Sequence, residues 1–469
     1  MFRPVRFASL FFLPILLVAQ EGFRIEVDIE GYDQETLVLA YFFGGRTFEK
    51  QVASRNDSGG FLFSAETLPE ESKVEGINLY PGLYYLLYPA TETESPAILF
   101  EFFIDQGEDR FRLESSMDDL VGSLSVSGDG IDSYAVKYSE FLLKNLKEQK
   151  ALETIETRTV EQQAELDALS TKLDSYRRDY FTKNPESVVA LFMSYRPFFE
   201  YPDFQGSQQE IDLQRYLYAR QHFFDNLDLS DPRHLRFPGP LDLVDTYINR
   251  MVPQSPDQLE SAVNQVIEMA SGDPATFQFY VVYFLNKYAD SQIMGHDSVY
   301  VGIIEDYYRS GQATWVTEER KAVLSSIASR LSPLLIGKTM LMPTLLRTDG
   351  SAFTFEDLET DWKVIFLWDP EKPESLEEAK ILEAWRSQHA SDKASIVAIP
   401  ISGDLAQGVE QLKTAGIDSW NIGTTPDARR TFFVLDHQAY KIFILNKSNT
   451  ISFKRIRAGQ IQGLLKDLL

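Results

Sequence analysis

The clearest pattern of apolar and polar positions lies near the C-terminus, in residues 362–375. Residues 363–368 form a run of strand length that is apolar at every position after Lys363, which predicts a central parallel strand covered on both faces. Pro370 and Pro373 fix the backbone after this run, and Glu374 begins a series of glutamates that the dipole of a starting helix favours. The pattern therefore predicts a strand that leads directly into a helix.

The alternation of apolar and polar residues continues downstream as a small α/β domain. It predicts a helix over 379–385, a strand over 395–401, a helix over 405–415, and strands over 431–435 and 441–445. A closing helix is predicted from four apolar positions, Ile461, Leu464, Leu465 and Leu468.

The first third of the chain shows period-two alternation. Residues 23–29, 61–63, 84–88 and 99–104 alternate or run as short apolar stretches between turn signals, which predicts an antiparallel β-sandwich or barrel. Residues 128–130, Gly-Asp-Gly, are expected to end this domain.

A helical region follows. Residues 134–183 predict two long helices broken near 157–159, with an apolar seam at Leu166, Leu169, Leu173, Tyr176 and Tyr180. The seam predicts a helical hairpin closed on its own chain, and an oligomer formed through these helices is the alternative. Many prolines divide residues 184–332 into short helices, which predicts a bundle.

Charge and composition limit the possible functions. The 469 residues include 45 basic and 70 acidic side chains, for a net charge of −25, which argues against nucleic acid and against docking on an anionic membrane surface. The chain contains no cysteine, so disulfides, thiolate catalysis and cysteine-ligated metals are excluded.

The first residues have the anatomy of a signal peptide. Arg3 and Arg6 precede an apolar stretch at 7–19 that is too short to span a bilayer. Residues 19–21, Ala-Gln-Glu, follow it where a signal-peptide cleavage site is expected. Residues 1–20 are therefore predicted to be removed on export, and the mature chain is not expected to bind membranes strongly.

Three histidines lie near aspartates in the helical region, but their spacing matches no known metal motif. No metal and no cofactor is therefore expected. The histidines and aspartates considered for such a site are His222, His234, His296, Asp225, Asp231 and Asp297.

The segment 369–371, Asp-Pro-Glu, and the elements around it give residues 336–469 a resemblance to the thioredoxin-like domain of exported Gram-negative envelope proteins. In that family this segment leads into a Cys-x-x-Cys helix start, but Lys372 and Ser375 stand at the two cysteine positions here. The resemblance also implies that Arg430 or a neighbour stands where the family has a cis-proline, and that 437–449 is a longer segment that forms an added hairpin.

The resemblance extends to the N-terminal β domain and the helical middle of thiol-disulfide-oxidoreductase-like proteins, through residues 57–63, 81–84, 100–104, 222–225, 231–233 and 293–297. The predicted fold is thus a multidomain α+β protein. Its parts are a signal peptide (1–20), an antiparallel β-sandwich (21–127), a helical hairpin and bundle (131–335) and an α/β thioredoxin-like domain (336–469).

The predicted function is that of a redox-inactive binding or structural module in the periplasm or at the outer membrane, with an envelope protein or peptide as partner. The candidate binding residues are Trp368, Asp369, Lys372 and Arg430. Using Lys372 and Ser375 as base and nucleophile would need a neutral lysine and an oxyanion hole, which an exposed, glutamate-rich first turn does not favour.

Two alternatives stay open at this point. In the first, the protein is an enzyme-class member by descent, that is, a member of the thiol-disulfide oxidoreductase family. The other is a peptide or carbohydrate binder whose β domain exposes an aromatic platform formed by Tyr80, Tyr84, Tyr85 and Tyr88.

Overall fold

The structure is a computed structural model. It describes residues 22–68, 78–90, 95–155, 157–197, 199–289, 291–341, 343–389, 393–426, 428–432 and 440–466. The predicted signal peptide lies outside the described residues. Among those that are described, no helix has both the length and the apolar character that a membrane span requires.

In the part of the chain that the structure describes, the first strands are β1 (Arg24–Glu30), β2 (Thr36–Phe43), β3 (Arg46–Ser54), β4 (Phe61–Ser64), β5 (Gly82–Leu87), β6 (Ile98–Ile104), β7 (Arg110–Ser116) and β8 (Ser125–Ser127). The α-helices that follow are α1 (Ala135–Glu153), α2 (Val160–Lys183), α3 (Val188–Ser194), α4 (Gln208–Gln221), α5 (Pro240–Thr246), α6 (Pro256–Met269), α7 (Pro274–Ala289), α8 (His296–Ile303) and α9 (Glu318–Leu331).

The C-terminal elements are β9 (Leu345–Leu346), β10 (Ala352–Phe353), β11 (Trp362–Trp368), α10 (Pro373–His389), β12 (Ala394–Pro400), α11 (Leu405–Thr414), β13 (Asn421–Ile422), α12 (Ala428–Thr431), β14 (Tyr440–Leu445), β15 (Ile451–Lys454) and α13 (Ile461–Leu465). The chain is thus a mixed α+β protein.

The chain forms two compact units. The first unit holds the described residues up to Met251 together with Met269–Phe277, and the second holds Val252–Glu268 and the described residues from Gln278 onwards. The helices between residues 135 and 331 are therefore divided between the two units. The predicted division into three domains stays a prediction.

The first unit contains two four-stranded sheets, with strand orders β4-β1-β7-β8 and β3-β2-β5-β6. Both sheets contribute side chains to one hydrophobic core, including Ile25 and Phe63 from the first sheet and Leu39 and Leu86 from the second. The prediction that all strands are antiparallel is wrong at one pair, because β1 and β7 run parallel. Alternation identifies the buried face of a strand but not the direction of its neighbour.

The predicted aromatic platform is not a single exposed surface. Tyr84 and Tyr85 are 2% and 7% exposed. The Tyr84 hydroxyl donates to the Tyr80 carbonyl at 2.9 Å, and burial raises the pKa of this phenol. The platform prediction is therefore wrong for these two tyrosines, because their strand is covered on both faces.

The predicted helical hairpin is confirmed as α1 and α2, joined near residue 157. Leu166, Leu169, Leu173 and Tyr180 are buried along the seam of α2. The seam packs on α1, where the Phe141 and Tyr176 rings lie 3.6 Å apart and those of Tyr138 and Tyr180 lie 4.5 Å apart. An oligomer through this hairpin stays a prediction.

The β6–β7 turn caps two helices of the first unit. Both carboxylate oxygens of Glu108 accept from the Ala135 amide at the start of α1, at 2.8 Å. Asp105 accepts from the Val188 amide at the start of α3, also at 2.8 Å. Although the amides of Asp105 and Ala135 donate to the Glu108 carboxylate and favour its anion, burial dominates and raises the pKa of Glu108 to about 7.

We expect Glu108 to make the first unit less stable as pH rises. Because its folded pKa lies above the ordinary value of 4.5, its stabilising contribution is complete below pH 4.5 and is lost as pH rises through 7. Between pH 5.5 and 8 this loss amounts to about 2 kcal/mol. Urea unfolding at both pH values should show it as the difference in pH dependence between the natural chain and Glu108→Gln, because the lowered pKa of buried His234 acts in the opposite direction in both proteins. Glu101→Gln, at an exposed glutamate of β6, is the control that should keep the loss.

The C-terminal sheet of the second unit has the strand order β13-β12-β11-β14-β15. β11 pairs in parallel with β12 and antiparallel with β14, and α10 connects β11 to β12. This β-α-β unit followed by an antiparallel hairpin is the arrangement that the predicted thioredoxin-like domain requires. The predictions for 362–368, 395–401 and 405–415 are confirmed within a residue or two.

Two predictions about the end of the chain need correction. Thr431 ends the short helix α12 and is not in a strand, while residues 433–435 lie outside the described residues. The segment 437–449 is not an added hairpin, because its described part supplies β14, which pairs with the central strand β11. Leu468 of the closing helix also lies outside the described residues.

Candidate functional site

The candidate site is the junction between β11 and α10, at the carboxyl end of the central strand. β11 has β12 on one side and β14 on the other, so residues that follow Trp368 emerge from the middle of the sheet. The Trp368 carbonyl accepts from the Ile401 amide at 2.8 Å, which continues the β12 ladder by one residue. The sheet therefore fixes the position of residues 369–375.

Asp369 organises the junction through its side chain and its amide. One carboxylate oxygen accepts from the Glu371 amide at 3.1 Å and from the Ser402 hydroxyl. The Asp369 amide donates to the Ser375 hydroxyl oxygen at 3.1 Å. The ends of β11 and β12 and the first turn of α10 are thus joined by one hydrogen-bond network.

Lys372 and Ser375 occupy different environments within one turn. The Ser375 amide donates to the Lys372 carbonyl at 3.1 Å, so the two residues are the ends of a hydrogen-bonded turn. Ser375 is 0% exposed, whereas Lys372 is partly exposed. The first of the two predicted redox positions is partly exposed, and the second is buried within the domain.

Two of the predicted binding residues are not available to a ligand in this structure. Trp368 is 0% exposed, and its ring fits against Gly408 so closely that a Cβ there would lie 3.1 Å from the ring. Asp369 is 5% exposed and is bonded within the junction. The sequence pattern placed both residues at the right end of the strand but could not show that the junction encloses them.

Arg430 lies in α12, and its side chain is outside the described residues. Of the four candidate binding residues, Lys372 alone is therefore both described and partly exposed.

An open groove of about 350 Å³ lies between α10 and α11, beside the junction. Its lining combines one apolar side chain with amides, a carboxylate and a hydroxyl, from Leu376, Gln407, Glu410, Gln411 and Thr414. Leu376 directly follows Ser375, so the groove begins where the junction ends. Sequence reasoning missed this groove, since it forms only when two helices separated by β12 pack side by side.

The histidines singled out by the sequence each have a separate local partner. His222 pairs with Asp225 at 2.8 Å, His234 bonds the Asp228 carbonyl at 2.7 Å, and His296 bonds the Ser291 hydroxyl at 2.8 Å. In the part of the chain that the structure describes, no three His, Asp or Glu side chains are arranged to hold a metal ion.

Asp297 has a distant partner that the sequence did not indicate. Its carboxylate accepts from the Lys454 ammonium, and the two side chains are 4% and 3% exposed. The same ammonium donates to the Leu334 carbonyl at 2.5 Å. This buried ion pair joins α8 to β15 within the second unit.

A family model described as a domain of unknown function, DUF5106, matches residues 169–332, which is less than half of the chain. No curated protein matches the chain.

Several solved structures are similar to parts of the chain. A thioredoxin-like protein from Bacteroides caccae is 16% identical over 58% of this chain and 99% of its own length, with a TM-score of 0.42. A domain of a possible thiol-disulfide isomerase from Cytophaga hutchinsonii is 20% identical over 29% of this chain and 95% of its own length, with a TM-score of 0.27. The thioredoxin domain of a thiol-disulfide oxidoreductase from Bacteroides vulgatus is 10% identical over 28% of this chain and 96% of its own length, with a TM-score of 0.26.

These three structures are described as a thioredoxin-like protein, a possible thiol-disulfide isomerase and a thiol-disulfide oxidoreductase, whereas this chain contains no cysteine.

Proposed function

We propose that this chain is an exported protein of the Gram-negative cell envelope whose C-terminal thioredoxin-like domain is redox-inactive and binds an extended peptide segment of another envelope protein. The proposal includes a β-sandwich, a helical middle and this domain as its three parts. The observation that supports it is the junction, where a buried serine and a partly exposed lysine stand at the two positions that the resemblance assigns to the redox pair.

Thiol-disulfide exchange requires a thiolate that attacks and a second sulfur that resolves the mixed disulfide. No residue of this chain supplies either sulfur. The hydroxyl of Ser375 accepts a hydrogen bond from the Asp369 amide, so the position that would hold the resolving thiol now stabilises the strand–helix junction. The shape of the redox site is retained for structural reasons, and its chemistry is lost.

A serine hydrolase is the enzyme class that the remaining side chains resemble most. Its nucleophile must reach the substrate and have a general base beside it. Ser375 is 0% exposed and its oxygen is engaged by the Asp369 amide, so a substrate carbonyl cannot approach it without opening the junction. The geometry therefore favours binding over hydrolysis.

The groove between α10 and α11 is the surface that we assign to binding. Side-chain amides of Gln407 and Gln411 can each donate to and accept from a peptide backbone, and Leu376 offers an apolar contact. Glu410 gives the groove a preference for a basic side chain on the peptide.

Site-specific photocrosslinking in intact cells tests this assignment. A benzoylphenylalanine at Gln411, which lines the groove, is expected to give a discrete crosslinked adduct with one envelope protein. The matched control is Lys413, an exposed residue on another side of α11, which should give none. Equal adducts at both positions, or none at Gln411, would reject the groove. In parallel, the purified chain is expected to leave insulin reduction by dithiothreitol at its background rate, and turnover above background would restore the oxidoreductase alternative.

A further inference from the structure

A second candidate site lies in the first unit, around Arg236. The carbon at the centre of its guanidinium group is 4.3 Å from the centroid of the Tyr80 ring and 5.3 Å from that of the Phe43 ring. Distances of this size are typical of cation–π contacts. We call this arrangement of Arg236, Tyr80 and Phe43 the arginine slot.

The backbone holds the arginine slot in place. The Arg236 carbonyl accepts from the Leu83 amide at 2.8 Å, and the neighbouring Leu235 carbonyl accepts from the Gly44 amide at 2.7 Å. A Cβ at Gly82 would lie 2.7 Å from the Cβ of Arg236, so only glycine permits this close approach. The arginine is therefore positioned by the ends of two strands and not by its own charge.

The charge of Arg236 has no counter-ion among the described residues. Its guanidinium makes no hydrogen bond and no ion pair with them. The groups that act on its charge are the hydroxyls of Tyr84, Tyr80 and Tyr41, and burial lowers its pKa. No nitrogen of Arg236 is among the buried side-chain atoms that lack a partner, so its N–H donors are open to solvent and to an approaching acceptor.

Other arginines of the same unit have hydrogen-bond acceptors for their guanidinium groups. Arg233, three residues earlier, bonds Asp231 through two nitrogens at 3.0 and 2.6 Å. Arg55 donates to the carbonyls of Tyr32, Gln34 and Gly59 at 2.6–2.8 Å. Arg55 also lies over the Tyr32 and Phe61 rings, at 5.8 and 5.0 Å, so Arg236 differs from it in having no carbonyl or carboxylate acceptor among the described residues.

The slot is reachable from solvent. Arg236, Tyr80 and Phe43 are each partly exposed. On the same hairpin Tyr41 stacks on Phe48 at 5.8 Å, and Phe48 is 41% exposed. Arginine beside tyrosine is the composition that dominates binding energy at protein interfaces.

We propose that the arginine slot is a binding site for an oxyanion, a carboxylate or a phosphate group carried by a ligand of the β domain. The guanidinium edge supplies two parallel N–H donors to such a group, while the two rings hold the guanidinium plane in one orientation. This site is separate from the groove of the C-terminal domain and goes beyond the function proposed there.

Calorimetric titration of the full chain with succinate and with inorganic phosphate, at constant ionic strength with chloride as reference, tests the proposal. Saturable binding of one or both anions is expected. The anion that binds more tightly shows whether the ligand carries a carboxylate or a phosphate group. Arg236→Gln should weaken that binding at least about tenfold. Arg24→Gln removes an exposed guanidinium from the other sheet and should leave binding unchanged.

A second measurement keeps the proposal testable if Arg236→Gln does not fold. In the natural chain the bound anion should protect Arg236 from phenylglyoxal, as measured by mass spectrometry of its peptide. No saturable binding of either anion, equal weakening by both variants, or labelling of Arg236 at the same rate with and without anion would overturn the site.

Discussion

Replacing Asp297 by asparagine is expected to lower the free energy of unfolding of the second unit by about 3–5 kcal/mol. The substitution leaves the Lys454 ammonium 97% buried with a neutral neighbour and the Leu334 carbonyl as its remaining described acceptors. Burial already lowers the pKa of Lys454, and the Asp297 carboxylate opposes that shift. Without the carboxylate, the buried cation must lose its proton or the contact between α8 and β15 must open.

Two further variants separate this effect from a general loss of charge. Asp361→Asn removes an exposed ion pair with Lys447, whose side chains are 62% and 76% exposed, and should cost less than about 1 kcal/mol. The double variant Asp297→Leu with Lys454→Met replaces both charges by apolar groups and should recover most of the loss. Urea unfolding curves measure all three. A loss below about 1 kcal/mol for Asp297→Asn would show that the pair does not stabilise the unit.

The ion pair also shows where sequence reasoning ends. In the sequence, Asp297 stands out because it follows His296, although their spacing fits no metal motif, and nothing in the pattern points to Lys454. The two residues are 157 positions apart, and neither local spacing nor periodicity connects them. Only the packing of β15 against α8 brings a lysine on a strand to an aspartate in the first turn of a helix.

Other parts of the fold could be predicted because their physical cause is local. The apolar run before Asp369 is buried on both faces, as a central strand requires. Its first residue, Lys363, breaks the apolar pattern and is nevertheless 3% exposed, because its ammonium reaches the Asn449 side chain at 2.7 Å. That acceptor is 86 residues away and could not be inferred from the run itself.

The candidate site was predictable in position and not in function. The proline and glutamate pattern placed the strand–helix junction correctly, and the resemblance placed Lys372 and Ser375 at the redox positions. Trp368 is enclosed by Gly408, which lies in α11, and Asp369 is enclosed by Ser402, which follows β12. Both of these residues come later in the chain than the junction itself. Local pattern therefore located the junction, while tertiary packing decided which of its side chains a ligand can reach.

A cysteine at position 372 is expected to react with Ellman's reagent at least about a hundredfold faster than a cysteine at position 375. Because the natural chain has no cysteine, Lys372→Cys and Ser375→Cys each carry a single thiol and need no further substitution. Lys372 is partly exposed, whereas Ser375 is 0% exposed, so the second thiol reacts only when the junction opens. An opening free energy of about 3 kcal/mol reduces the rate about a hundredfold.

Reactivity in urea provides the reference, since both thiols should react at similar rates once the chain is unfolded. This pair of rates tests the central proposal most directly, namely that positions 372 and 375 stand where a redox pair would be, one partly exposed and one enclosed, without its sulfur. The account predicts a fast thiol at 372 and a protected thiol at 375 in the folded protein. Equal rates at the two positions in folded protein would contradict it.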